Sequence, residues 1–153
     1  MHKCLVILVV SLWASRAAAV TITIQDPCAS TPWIVDERHD AVGQSAGQVT
    51  IDTLNRHHLP FVGSDAGFSS INNTVTGDGA LEVLSASEMK AYGWCYHING
   101  DEPSVYANQI FIASEADTVT WFFGYAHYRD GLWIAMCVPT HSEKPRFVCG
   151  EGH

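Results

Sequence analysis

The chain has 153 residues, 47% of them hydrophobic and only 16% charged, with 16 acidic residues against eight lysines and arginines and a formal charge of −8. A length near 150 fits one domain with an ordinary core, and the apolar share excludes intrinsic disorder. The acidic balance argues against nucleic-acid binding, which draws on a basic face.

His2-Lys3 make a short positive start, Leu5–Val10 an apolar run, and Ala17-Ala18-Ala19 a small-residue cleavage pattern. Together they read as a secretory signal over residues 1–19. Ser11, Ser15 and Arg16 break the run before the ~20 apolar residues that an anchor needs. The mature protein is therefore expected to be secreted or periplasmic, with no membrane insertion after signal cleavage. Cleavage leaves six basic residues against 16 acidic ones, a surface that favours neutral or cationic partners. It also leaves Cys28, Cys95, Cys137 and Cys149, an even set that reads as two disulfides in an oxidising compartment.

Val20–Gln25 alternates apolar and polar residues, the period of a half-buried strand with Val20, Ile22 and Ile24 inward. A short strand is expected at Trp33–Val35. Ser45 and Gln48 fit a capping box, and Ile51, Leu54 and His58 recur at helical spacing, so a helix is expected over about 46–58, stopped by Leu59-Pro60. Sheet resumes from Phe61, with Phe68–Ile71 leading into the turn Asn72-Asn73-Thr74 and Gly77-Asp78-Gly79 punctuating again. Asn72-x-Thr74 would be a glycosylation acceptor in a eukaryote, but the tripeptide is common by chance and is uninformative by itself. Ser85–Glu88 resembles another helix cap, with room for about one turn before Gly93.

Trp94–Ile98 alternates and meets Asn99-Gly100, a type I′ turn dipeptide. Thr118–Tyr128 reads as a long strand, with Val119, Trp121, Phe123 and Tyr125 on one face and Phe122 and Tyr128 on the other. Asp130-Gly131 then turns into Leu132–Val138, closed by Pro139. A two-residue loop there sets Trp133 against Tyr128, Ala135 against Ala126 and Cys137 against Gly124. Gly124 would leave room beside Cys137 for a sulfur from a neighbouring strand. Cys95–Cys137 is the expected bridge, and Cys28–Cys149 follows by elimination, though four cysteines allow three connectivities. Many strands with one helix indicate an α+β fold, the helix packed on one face of a mainly antiparallel sheet.

Hydrolase, metalloprotease, Walker and dinucleotide motifs are missing from the sequence. Cys95 and His97 share a strand face, but an oxidised Cys95 cannot attack, so the chain reads as non-catalytic. The seven histidines beyond the leader are dispersed. His57 and His58 would point about 100° apart on a helix, and a metal site drawing on His127, Met136 and His141 is the weakest reading. Between residues 92 and 133 lie eleven aromatics, Tyr106 among them. Most belong to the core. A domain with one helix cannot cover both sheet faces, so some rings should be exposed as a stacking platform for a flat apolar ligand.

The run Gly93-Trp94-Cys95-Tyr96-His97-Ile98-Asn99-Gly100-Asp101-Glu102-Pro103 resembles the transcobalamin C-terminal-like domain family, bacterial exported domains related to the β-domain of transcobalamin and intrinsic factor. The family run G-W-x-Y-x-V-N-G-x-x-P is matched at Gly93, Trp94, Tyr96, Ile98, Asn99, Gly100 and Pro103, and a later D-x-[VI]-x-W strand at Asp117, Val119 and Trp121. The resemblance covers about residues 20–125. It implies a β-grasp-like fold. The domain is then expected over 20–139, extended by the C-terminal hairpin that the residues themselves indicate, with a disulfide-tethered tail over 140–153. The resemblance also implies a ligand-contact strip at Trp94, Tyr96, Asn99, Gly100 and Tyr106, since in the cobalamin carriers this segment covers one face of the corrinoid. The chain departs from the carriers in lacking their α/α-barrel partner domain and in adding Cys95, Cys137 and the Trp133 hairpin.

The expected function is an exported, non-catalytic binding domain without a resident cofactor, holding a small flat ligand (a cobalamin-like one is possible) or a protein partner through its aromatics. The alternative is a structural module that meets an envelope protein through its sheet edge.

Overall fold

The computed structural model describes residues 18–145 and 147–149. The leader assigned to residues 1–19 therefore lies, apart from Ala18 and Ala19, outside the described residues.

Over the described residues the chain is an α+β fold, mostly sheet with one α-helix and two disulfides. In chain order its elements are β1 (Val20–Gln25), β2 (Pro32–Arg38), α1 (Ala46–Arg56), β3 (Phe61–Ser64), β4 (Gly67–Ile71), a 3₁₀ turn (Gly77–Ala80), β5 (Leu81–Ser85), β6 (Glu88–Ile98), a second 3₁₀ turn (Ala107–Gln109), β7 (Thr118–Arg129) and β8 (Leu132–Pro139). The main sheet runs β2-β1-β7-β6-β5, and β3 and β4 form a separate hairpin. β7 is the axis. β6 pairs with it antiparallel along its whole length. On its other edge, β1 pairs in parallel with Thr118–Trp121, and β8 pairs antiparallel with Gly124–Arg129.

The alternation in β1 does what its pattern requires. Val20, Ile22 and Ile24 are fully buried while the threonines between them are half-buried. The same period puts Val119, Trp121, Phe123 and Tyr125 of β7 on one face, all buried. α1 contributes Val49, Thr50, Thr53 and Leu54 to the core. Its inward stripe therefore differs from the expected Ile51, Leu54 and His58: Ile51 is only partly buried and His58 is exposed beyond the helix. Two threonines take the inner positions because their hydroxyls are satisfied there. Thr50 Oγ1 donates to the Ala46 carbonyl at 2.7 Å and accepts the buried Trp121 indole N–H at 2.8 Å.

Ser45 caps α1 as expected, its Oγ accepting from Gln48 N at 3.1 Å. The Gln48 side chain reaches Asp52 instead of returning to the cap, so half the capping box forms. The helix ends two residues earlier than expected, in a Schellman arrangement. Leu59 N donates to Leu54 O, His58 N donates to Asn55 O, and His58 holds φ +54° in the position that favours glycine. At the other end Gly47 is required. A Cβ there would lie 1.7 Å from the Asp65 carbonyl oxygen in the β3–β4 turn.

Two expectations change. Ser85–Glu88 is not a helix start but the turn of the β5–β6 hairpin, in which Ser85 Oγ accepts from Ser87 N. The β7–β8 hairpin begins in the expected register, Arg129 against Leu132 and Tyr128 against Trp133, around Asp130 (φ +49°) and Gly131 (φ +89°). Then β8 inserts extra residues. His127 faces Ala135, Tyr125 faces Val138, and Gly124 faces Pro139 rather than Cys137.

Those bulges form the second bridge. β6 and β8 lie on opposite edges of β7, which in a flat sheet separates them by about 9.5 Å. The Cys95 and Cys137 Cα atoms are nonetheless 5.8 Å apart. Cys137, at φ +47°, is displaced over Gly124, where an added Cβ would meet Val138 O at 3.1 Å and the Cys137 carbonyl carbon at 3.3 Å. Gly93 faces Gly124 across the β6–β7 pair. Cys28–Cys149 closes the chain between its first strand and its tail, with Cα atoms 5.4 Å apart.

Candidate functional site

The five residues expected to form a contact strip take different structural roles. Trp94 is half-buried. Its indole N–H donates to Thr74 Oγ1 at 2.7 Å, and its ring packs edge-on to Phe123 and tilted against Trp33, 6.1 Å away. Tyr96 stacks on Trp121 at 5.0 Å, and its hydroxyl donates to the Val105 carbonyl at 2.7 Å. Burial holds that phenol's pKa above the usual tyrosine range. Tyr106 is 69% exposed.

Asn99 and Gly100 form the left-handed turn their sequence specifies, at φ +54° and +88°. Asn99 then fastens that turn to the start of β7: its Oδ1 accepts from Thr118 N at 2.8 Å and its Nδ2 donates to Asp117 Oδ1 at 3.1 Å. The other Asp117 oxygen accepts from Ala113 N and Ser114 N. Hydrogen bonding from Asn99, with these two amides, holds the Asp117 carboxyl below the usual range. The motif thus serves as a splice between β6 and β7, and of the strip's three aromatic residues only Tyr106 is exposed.

Beside this strip lies a concavity that the sequence reading did not assemble. A groove of about 780 Å³ is bounded by Asp26, Pro27 and Cys28 after β1, Trp33 of β2, Asn72–Val75 after β4, and Phe147–Cys149 of the tail. Three distant segments meet there, and the Cys28–Cys149 bridge makes them adjacent. The Cys28 amide is fixed by Asp26 Oδ1 at 2.7 Å, and Thr140, fully buried, donates its hydroxyl toward Pro27 O and Phe123 O. Trp33 joins the groove to the strip, because its ring touches Trp94 and Trp94 is bonded to Thr74. The volume falls within the ~300–1,000 Å³ usual for small-molecule sites. In the sequence the expected Cys28–Cys149 tether and the Asn72-Asn73-Thr74 turn point to this region, whereas Trp33 carries no signal there beyond that of a strand residue.

A second, shallower hollow of about 460 Å³ shares Phe147. Tyr92 donates to Glu82 at 2.7 Å and Tyr125 to Glu143 at 2.9 Å, while Lys90 reaches Glu143 and lies 4.3 Å above the Tyr125 ring. Burial, reinforced by Glu82, pushes the Tyr92 phenol strongly upward, so it serves as a hydrogen-bond donor and not as a base. Cys95 is bonded to Cys137, and that sulfur is no nucleophile. His127 Nε2 lies 2.8 Å from Glu88 Oε1, which also accepts from Arg129. Among the described residues no three His, Cys, Asp or Glu side chains gather as a metal site, and no helix is long and apolar enough to cross a membrane.

No family model, curated protein or solved structure matches this chain.

Proposed function

We propose that the chain is an exported, non-catalytic binding domain whose ligand seat is the groove beside Trp33, with the aromatic strip behind it as support. The observation that carries this reading is the groove itself, with an indole and Phe147 for stacking, Asn73 for hydrogen bonding, and a disulfide holding its walls together. Apolar walls with a few convergent polar groups suit a small neutral ligand with a flat body and polar edges. Export is supported by the leader pattern and by two disulfides, which persist in oxidising compartments.

Resemblance to the transcobalamin C-terminal-like domain, through Gly93–Pro103, supports a corrinoid as the first ligand to try. The β-grasp-like reading with a C-terminal hairpin is supported by the strand order β2-β1-β7-β6-β5, the parallel β1–β7 pair and the helix between β2 and β3. The test is quenching of tryptophan emission by cobalamin, haem and soluble glycans, repeated with Trp33→Leu. Saturable quenching by one probe, weakened at least tenfold in Trp33→Leu, is the expected result. Indifference to every probe would end the proposal.

One observation favours a second reading, a protein-interaction module. β8 leaves Leu132, Trp133, Ile134 and Met136 about half to two-thirds exposed, and its outer edge has no partner strand among the described residues. Such an edge can accept a strand from another chain. Recovery of a specific envelope protein by the wild type, lost when Ile134 is replaced by Lys, would support that role.

A further inference from the structure

We propose that Asn72 is an acceptor for an N-linked glycan, attached during export and before the domain has folded. Asn72-Asn73-Thr74 carries the acceptor spacing, with a residue other than proline in the middle. The structure places Asn72 at an exposed turn after β4, where it and Asn73 both hold left-handed φ, +52° and +59°. A bulky hydrophilic chain is readily accommodated at such an exposed turn. The two disulfides and the leader pattern suit the oxidising export route on which this chemistry takes place.

The timing follows from Thr74. An acceptor site needs the threonine hydroxyl as well as the asparagine amide, and in the folded chain that hydroxyl is fully engaged. Thr74 Oγ1 accepts from the Trp94 indole at 2.7 Å and from Ile71 N at 3.2 Å, and it donates to Ile71 O at 3.0 Å. Trp94 lies 20 residues downstream of Thr74, so the hydroxyl is fully engaged only once β6 docks and adds the indole to the local contacts with Ile71. In the reaction the Asn72 amide nitrogen bonds to C1 of an oligosaccharide carried as a lipid-linked diphosphate. The C1–oxygen bond to the diphosphate breaks, the amide loses one proton, and the lipid diphosphate leaves. The glycan then roots at the rim of the groove, and the proposal holds whether or not the groove takes a ligand.

The full chain is expressed in a eukaryotic secretory cell, and its Asn72 peptide is treated with peptide-N-glycosidase F in heavy-oxygen water beside an enzyme-free control. The expected result is heavy aspartate at position 72 in the treated sample only, retained in Thr74→Ser and abolished in Thr74→Val. Cell-associated chain is read together with the medium, so that a variant that fails to fold is still scored. A secreted wild-type chain bearing unmodified Asn72 overturns the proposal. For the timing, unglycosylated chain is offered to oligosaccharyl-transferase membranes with lipid-linked donor, either native or reduced and unfolded. Modification of the unfolded form alone is expected, and equal modification of both would refute the order of events.

Discussion

Replacing each cysteine pair by serine separates the two bridges and tests what they do. Cys28–Cys149 closes a sequence separation of 121 residues and Cys95–Cys137 one of 42. Loop-closure entropy scaled to those lengths gives about 5 kcal/mol for the first and about 4 kcal/mol for the second. Either is a large share of the ~5–15 kcal/mol typical of a domain. At about 3 °C per kcal/mol for a chain of this size, C28S/C149S should lower Tm by roughly 15 °C and C95S/C137S by roughly 12 °C. The larger loss belongs to the bridge that also walls the groove, so a probe that quenches Trp33 in the wild type should be lost in C28S/C149S and kept in C95S/C137S below its own transition. Calorimetry and quenching titrations on the same samples supply both readouts. A reversed order of Tm losses, or losses of only a few degrees in both, would refute the chain-entropy reasoning. A probe retained by C28S/C149S would refute the role of the bridge in the groove.

Thr50→Val keeps the shape but strands the buried Trp121 indole N–H, so urea unfolding should show a loss of about 1–3 kcal/mol with an unchanged m-value. His58→Gly places glycine where the Schellman arrangement wants it, and a gain of about 0.5–1 kcal/mol is expected in the same assay. Glu88 is held below the usual carboxylate range by hydrogen bonds from Arg129 and then His127. Its contribution is complete above the unfolded value of 4.5 and fades as pH falls through the lower folded value, so Glu88→Gln should flatten the acid limb of a stability–pH curve below about pH 4.5.

Much of the fold could be read from period and punctuation. β1 and β7 declare themselves because alternate positions are apolar, and the two-residue turns at 99–100 and 130–131 both carry residues able to hold left-handed backbone. The bridges were legible for the same reason, since the turn at 130–131 brings Cys137 back toward Gly124. The bulges in β8 were not, because Ile134 and Met136 extend the strand pattern as well as any paired residue would. The inner threonines of α1 escaped a reading based on apolar spacing, as their burial depends on a carbonyl one turn away and an indole 71 positions later. The site was the least visible part. Asn99 carries a recognisable motif but spends its amide on Asp117 and Thr118, whereas the groove draws on residues 26–33, 72–75 and 147–149, each unremarkable alone.

What links the two bridges is that each fastens a segment with little core of its own. From Leu132 to Met136, β8 has four exposed apolar side chains and one partly buried alanine, so its packing alone holds it weakly to β7. Cys137 crosses over Gly124 to β6 and fixes it there. The tail beyond Pro139 has buried Thr140 as its main polar anchor, and Cys149 completes the attachment. α1 and the β3–β4 hairpin already bury the face of β7 that carries Trp121, which packs edge-on to Phe68 of β4 at 4.7 Å. The groove arises where that hairpin, β2 and the tethered tail come together without filling the space between them. A small sheet that closed its core by packing alone would have drawn these segments inward; covalent closure at the margin leaves Trp33 and Phe147 on the walls of an open groove.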